Sequence, residues 1–250
     1  MKRVFGGFLA AILFMTRLPL PRSAHSPLPL SSAAPYFPSV GALLGLGAAA
    51  LDVYLRPHLG AGAAAVATVL FLVMITGALH EDGLADCADG LGGGRTREQA
   101  LHIMRDSRIG SYGALAIAGS LVARTTLIAE LAPVQTVTYI ICTECLSRWT
   151  VLPLAYVLSP ARTEGAAPGQ GARIAGRLPT FGIVASTLFC LAITVSLLHA
   201  EWWRPWIACI LVTAMSAVYF QRRIGGITGD CFGAVIQIAA TAVYVCGAWR

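Results

Sequence analysis

This 250-residue sequence has little charge. Asp, Glu, Lys and Arg make up 12% of it, about half of the roughly one-quarter usual in a soluble domain. That shortage, with 56% hydrophobic residues and a mean hydropathy of +0.71, excludes an ordinary water-soluble globule and predicts an integral membrane protein. No linker or shift of composition divides the chain, so a single domain over 1–250 is expected. A second CxxC pair is also missing. The seven cysteines, at 87, 142, 145, 190, 209, 231 and 246, are odd in number, scattered and mostly inside apolar runs, and they read as small packing residues. Cys142 and Cys145 have CxxC spacing, but a zinc site would need another pair or nearby histidines. No small-x-small cleavage site follows "MKRVFGGFLAAILFM", so this basic and then apolar stretch is expected to stay in place as a short anchoring or re-entrant helix.

What the sequence has in quantity is apolar runs. They fall at about 40–55, 61–79, 111–129, 134–158, 181–199, 203–220 and 231–249, and most approach the ~20 residues that cross a bilayer as helix. The expected fold is all-α: a polytopic transmembrane helical bundle of about seven spans plus the N-terminal helix. Gly, Ala, Ser and Thr are frequent in these runs, which suits close helix contact in lipid. Counting alternate sides, one face collects Lys2, Arg3, Arg17, Arg22, Arg95, Arg97, Arg105, Arg108, Arg162, Arg173, Arg177, Arg222 and Arg223, against Arg56, Arg204 and Arg250 on the other. The positive-inside rule then puts the first face in the cytoplasm. The polar stretches 80–110, 159–180 and 221–230 all fall on that side, so one site can draw on all three.

Acidic residues number only twelve, yet four of them stand in "HEDGLADCADG", His80 to Gly90. On a helix Asp82, Asp86 and Asp89 share one face at i, i+4, i+7, with Glu81 about a quarter-turn away. A solvated helix end is the plain reading of such a cluster, but spending a third of the acidic residues there argues against it. A hard divalent cation such as Mg²⁺, held by carboxylates drawn from Glu81, Asp82, Asp86 and Asp89, would relieve the repulsion. Next comes "GLGGGRTREQALHIMRDSRIGSYG". Gly90, Gly92, Gly93 and Gly94 are expected to break the helix and let backbone amides approach an anion. Arg95, Arg97, Arg105 and Arg108, the last two at i, i+3 on a following helix with Asp106 and Ser107 between them, can neutralise a diphosphate. Some of these arginines would be there for topology alone.

Further signals are weaker. "GGITGD", Gly225 to Asp230, approaches the last span; Thr228 or Asp230 can cap that helix, and its N-terminus can hold an anion. Glu144 and Arg148, at i, i+4 within a span, are expected to pair and face the bundle interior. Their purpose is open between structural glue and substrate pocket. Arg124 and Glu130 are expected to snorkel toward the outer surface.

Taken together, "HEDGLADCADG" and "GGRTREQALHIMRDSRIGSYG" resemble the signature of the cobalamin synthase family, the adenosylcobinamide-GDP ribazoletransferases. "FMTRLPLP", "YFPSVG", "LSR", "ARTEG" and "GGITGD" match in the family's order, from the N-terminal region to the last span. The resemblance implies an inner-membrane enzyme that joins α-ribazole, or its 5′-phosphate, to adenosylcobinamide-GDP and releases GMP, with Mg²⁺. A ribose hydroxyl attacks the phosphorus bearing the cobinamide arm. On that reading Asp82, Asp86 and Asp89 are metal ligands or their supports, Arg95, Arg105 and Arg108 meet the diphosphate, and Asp89 and His80 compete for the role of base. Besides the two substrates and the bilayer, other late cobalamin-pathway enzymes and a second copy of the chain stay open as partners; no nucleic acid is expected.

Two other enzyme and carrier classes compete. A CDP-alcohol phosphotransferase would use "DCADG" as its D-x-x-D-G element, but the Ala-Arg that should follow is absent. A divalent-cation transporter predicts acidic groups near the bilayer midplane, whereas these crowd one edge.

Overall fold

The computed structural model of the protein describes residues 2–19, 29–161, 174–175 and 178–249. Arg22, the segment 162–173 with most of "ARTEG", Arg177 and Arg250 lie outside the described residues. The helices are α1 (Lys2–Met15), α2 (Leu30–Ala33) running through a 3₁₀ turn into α3 (Phe37–Thr76), α4 (Leu79–Gly93), α5 (Arg97–Ile103), α6 (Ser111–Glu130), α7 (Pro133–Trp149), α8 (Val151–Val157), α9 (Thr180–Leu198), α10 (Trp203–Ile224) and α11 (Gly229–Ala248). Among the described residues the sole extended pairing is a bridge from Pro160 to Ile227. Among the described residues six helical segments are long and apolar enough to cross a membrane.

The first of these six doubles back on itself. Gly60, at φ 79° and ψ 165°, interrupts α3 with a conformation open only to glycine. Beyond it the chain returns along its own path. A side chain at Gly47 would touch the Phe71 ring at 3.4 Å, and the Thr68 hydroxyl lies 3.5 Å from Asp52 Oδ1. In a straight helix Gly47 and Phe71 would be about 36 Å apart. The two limbs of α3 therefore form a hairpin, which matches the two apolar runs at about 40–55 and 61–79. Asp52, buried near the turn, is paired with Arg56 at 2.7 Å, and Arg56 also donates to the Ile128 carbonyl.

The returning limb stops early. It ends at Thr76, where Gly77 (φ 64°) and Ala78 (φ 57°) are both left-handed. The freed carbonyls are taken up at once: Gly77 N–H donates to Met74, Ala78 N–H to Val73, and Arg17 N–H, from the chain just after α1, to Ile75. From Gly60 to Thr76 the limb covers only about 24 Å of a ~30 Å hydrocarbon core. The run read as one span over 61–79 is thus a broken helix, its last residue belonging to α4. Helix α1 is itself only 14 residues, about 21 Å, and stacks Phe14 on Phe37; it is a short packed helix, as expected.

Helix α7 is the centre of the bundle, with every residue from Cys142 to Trp149 buried. Gly41 and Gly45 of α3 let it approach closely, since a Cβ at Gly41 would collide with the Glu144 carbonyl. Glu144 and Arg148 pair at 2.5 Å, both buried, as their spacing predicts. Six of the cysteines are buried and the seventh, Cys246, partly so; all are free thiols.

Candidate active site

Helix α4 contains four glycines in fifteen residues, a poor composition for a helix on propensity alone. It forms because α11, α6 and α5 hold it. Against α11 the contact is glycine on glycine: a Cβ at Gly83 would sit 2.8 Å from the Asp230 carbonyl and 3.2 Å from Gly233 Cα, and one at Gly233 would sit 3.1 Å from the His80 carbonyl. This close crossing brings Asp230, in the first turn of α11, beside the acidic face of α4. Burial, then repulsion from Asp230, Asp82 and Asp89, raises the Asp86 carboxyl from 3.8 to about 7. Asp82 is exposed, and Asp86 and Asp230 are partly so. Thr228 caps α11 by accepting from Cys231 N–H at 3.4 Å and donates to Asp230 Oδ2 at 3.3 Å.

The other acidic members of the motif have different work. Asp89 is buried and accepts from Gly110 N–H at 2.7 Å and from Gly113 N–H at 2.8 Å. It caps the N-terminus of α6 from outside that helix, where the helix dipole favours an anion. Gly110 and Gly113 are required there, because a Cβ on either would collide with the Asp89 carboxylate. Glu81 turns into the bundle, where Oε1 accepts from Arg124 at 3.0 Å and from Gln237 at 3.0 Å. Arg124 thus does not snorkel outward: at 3% exposure it has the partner that a charge inside the bundle needs. His80, also buried, faces the same interior beside Arg124 and Arg148. Of the expected metal set, Asp82 and Asp86 keep solvent exposure and are joined by Asp230 in an acidic cleft-side cluster; Glu81 and Asp89 are engaged elsewhere. The expected competitors for the role of base, Asp89 and His80, are both buried.

The glycine run also differs from expectation. Gly90, Gly92 and Gly93 lie within α4, and only Gly94 ends it. Their service is close packing rather than an anion loop: a Cβ at Gly90 would meet Met104 and the Ala100 carbonyl, and one at Gly94 would meet Ala100 N at 2.5 Å. Arg223 closes this end of α4, donating to the Leu91 and Gly94 carbonyls at 2.9 Å each. Arg97 Nε donates to the Ile224 carbonyl at 2.8 Å, which ties α5 to α10. Arg105 and Arg108 follow α5 in a turn region rather than on a helix, because α5 ends at Ile103. Arg108, exposed, forms a 2.6 Å ion pair with the half-buried Asp106, and Ser107 between them is exposed. Arg95 is exposed beside the end of α4. Ile227 N–H bonds to the Ser159 carbonyl and Ala161 N–H to that of Ile227, so the described ends of all three polar stretches meet at one end of the bundle.

Sequence reasoning missed Gln237, Arg223 and the Gly83–Gly233 crossing. Gln237 carried a usable signal, a polar side chain inside an apolar span. Nothing local distinguishes Gly83 from the other glycines.

Fold and site together define a polytopic helical membrane protein with a cluster of carboxylates on the helix that follows a break in a spanning segment. Within that class, the chain belongs to the cobalamin-5-phosphate synthase family, whose model matches residues 7–248. Relatives named adenosylcobinamide-GDP ribazoletransferase are 39% identical in Azorhizobium caulinodans, over 96% of this chain and 94% of theirs, and 38% identical in Ralstonia pickettii, over 91% and 89%. No solved structure matches.

Proposed function

We propose that the protein is an adenosylcobinamide-GDP ribazoletransferase whose cleft faces the cytoplasm of a bacterial inner membrane. The observation that carries the chemistry is the approach of Asp82 and Asp230 to Asp86. Among the described residues no three His, Cys, Asp or Glu side chains stand close enough to hold a metal by themselves, so a Mg²⁺ ion here would take one or two carboxylates and fill its shell with water and substrate phosphate. The crowding that keeps Asp86 protonated up to about 7 is a further reason to place a cation there. Asp82 and Asp230, with Asp86 between them, are the residues that would hold it, and the ion would supply charge stabilisation to the diphosphate.

In the transfer, a ribose hydroxyl oxygen of α-ribazole or its phosphate forms a bond to the phosphorus that carries the cobinamide arm. The bond from that phosphorus to the bridging oxygen breaks, and GMP leaves with the electron pair. We assign the hydroxyl proton to Asp86, whose carboxylate a neighbouring cation would keep ionised and able to accept it. We assign Arg95, Arg105 and Arg108 to the diphosphate on their charge and on the motif that carries them. Asp89 and Glu81 position α4, the first against α6 and the second against α6 and α11. Arg95, Arg97, Arg105, Arg108, Arg222 and Arg223, which stand on the polar stretches that meet at this end of the bundle, support the cytoplasmic orientation.

The test is GMP release by purified protein given adenosylcobinamide-GDP and α-ribazole, with Mg²⁺ or with EDTA. GMP with a cobalamin product in Mg²⁺ alone is expected. Equal turnover in EDTA would remove the metal, and no turnover by folded protein would remove the activity.

A further inference from the structure

Beneath α4 lies an enclosed polar space that the transfer chemistry does not use. Five helices line it: Thr76 comes from α3, His80 and Glu81 from α4, Arg124 from α6, Glu144, Ser147 and Arg148 from α7, and Gln237 from α11. Five of its side-chain atoms, His80 Nε2, Glu81 Oε2, Arg124 Nε, Ser147 Oγ and Arg148 Nε, have no hydrogen-bond partner among the described residues. None of the five side chains belongs to a residue more than 5% exposed. Buried polar atoms are ordinarily paired, and a cluster of orphans pointing into one space asks for a shared partner.

We propose that this space is a binding site for a single water molecule, which links the Glu81–Arg124 and Glu144–Arg148 pairs into one network. Charge selects against an ion, since two carboxylates and two guanidiniums already balance. Hydrogen-bond polarity selects further. The two arginine Nε–H groups can only donate, and Glu81 Oε2, as a carboxylate oxygen, can only accept. An anion would leave Glu81 unmet, and a cation would leave both arginines unmet. Water accepts two bonds and donates two, which meets both arginines, Glu81 and one of Ser147 and His80, the fifth atom being left to the other of these two. Size agrees: the volume open to the centre of a water molecule is about 10 Å³, the room of one water. Because the lining comes from both sides of the break at Gly77–Ala78, the water fixes where α4 starts against the rest of the bundle.

Bound waters turn into hydroxyl radicals where they sit under an X-ray beam, whereas photolysed peroxide makes radicals in bulk solvent. The experiment compares the two labelling methods on the full chain in lipid nanodiscs, reading oxidation of His80 against Phe37, which is as well buried but outside the cavity. The expected result is His80 labelled several-fold faster than Phe37 by X-rays and no faster by peroxide. Ser147→Val, which fills the space, is expected to bring the X-ray rate down to that of Phe37. Slow labelling of wild-type His80 by X-rays would overturn the proposal, as would equally fast labelling by both methods, which would mean open access to bulk solvent. Both of these outcomes are measured on the wild-type chain and stand even if the variant fails to fold.

Discussion

Gly83→Ala tests the claim that a glycine crossing assembles the cleft. The new methyl would stand 2.8 Å from the Asp230 carbonyl oxygen and 3.1 Å from its Cα. Both are backbone atoms, so no side chain can swing aside. Ordinary contact begins near 3.4 Å, and α4 and α11 must therefore part by roughly 0.6 Å, carrying Asp230 away from Asp82 and Asp86; a misplacement of ~1 Å can cost about 10²-fold in rate. Overpacking of this kind costs about 1–3 kcal/mol, well below the ~5–15 kcal/mol of a typical fold, so the variant should purify folded. We expect kcat for GMP release to fall roughly 10- to 100-fold, with a smaller change in KM for the ribazole substrate. The comparison is Gly119→Ala in α6, where a Cβ meets nothing within 4 Å; it should keep full turnover and gain about 0.5–1 kcal/mol from reduced backbone freedom. Wild-type kcat in Gly83→Ala, or an equal loss in Gly119→Ala, would refute the reasoning.

Three more outcomes follow from the same geometry. Asp86 binds its proton more tightly folded than unfolded, so the metal-free protein should lose stability as pH rises from about 4 to about 7, and Mg²⁺ affinity should climb as pH passes about 7; Mg²⁺ titrations at pH 6 and 8 with equal affinity would contradict this. Arg124→Met leaves Glu81 buried without its cation and should cost about 3–5 kcal/mol, whereas Glu81→Gln with Arg124→Met should recover most of it; thermal unfolding in nanodiscs reads both, and a double variant weaker than the single one counts against the pair. Ala78→Gly removes a left-handed alanine worth about 1–2 kcal/mol of strain and should raise the melting temperature, while a lower one would show that the Ala78 methyl supports the break.

The passes through the bilayer were readable because lipid makes every spanning segment apolar along its length, whatever it packs against. Even the hairpin at Gly60 fell where the hydropathy dips. The cleft was half readable. Asp82 and Asp86 follow from helical spacing, but Asp230 joins them only through the Gly83 contact, which no spacing rule contains. Glu81 and Asp89 were misjudged for one reason: their partners are distant in sequence, Gln237 by 156 residues and Gly113 by 24. A carboxylate next to an acidic motif looks like part of it until the neighbouring helices are in place. The glycines after Asp89 failed in the opposite direction. Loop-forming composition was overridden by packing against α5, where Met104 and Ala100 leave no room for a side chain.

The ion partners of α4 also impose an order on the making of the protein. Glu81 leaves the ribosome 43 residues before Arg124 and 156 before Gln237. Until they arrive, sinking the start of α4 into the bilayer would strand a carboxylate, at a cost of up to ~3 kcal/mol on insertion scales. Glu81 therefore has its interior partners only once α6 and then α11 are in place. A chain truncated before α11 would carry the whole acidic motif and still have no cleft.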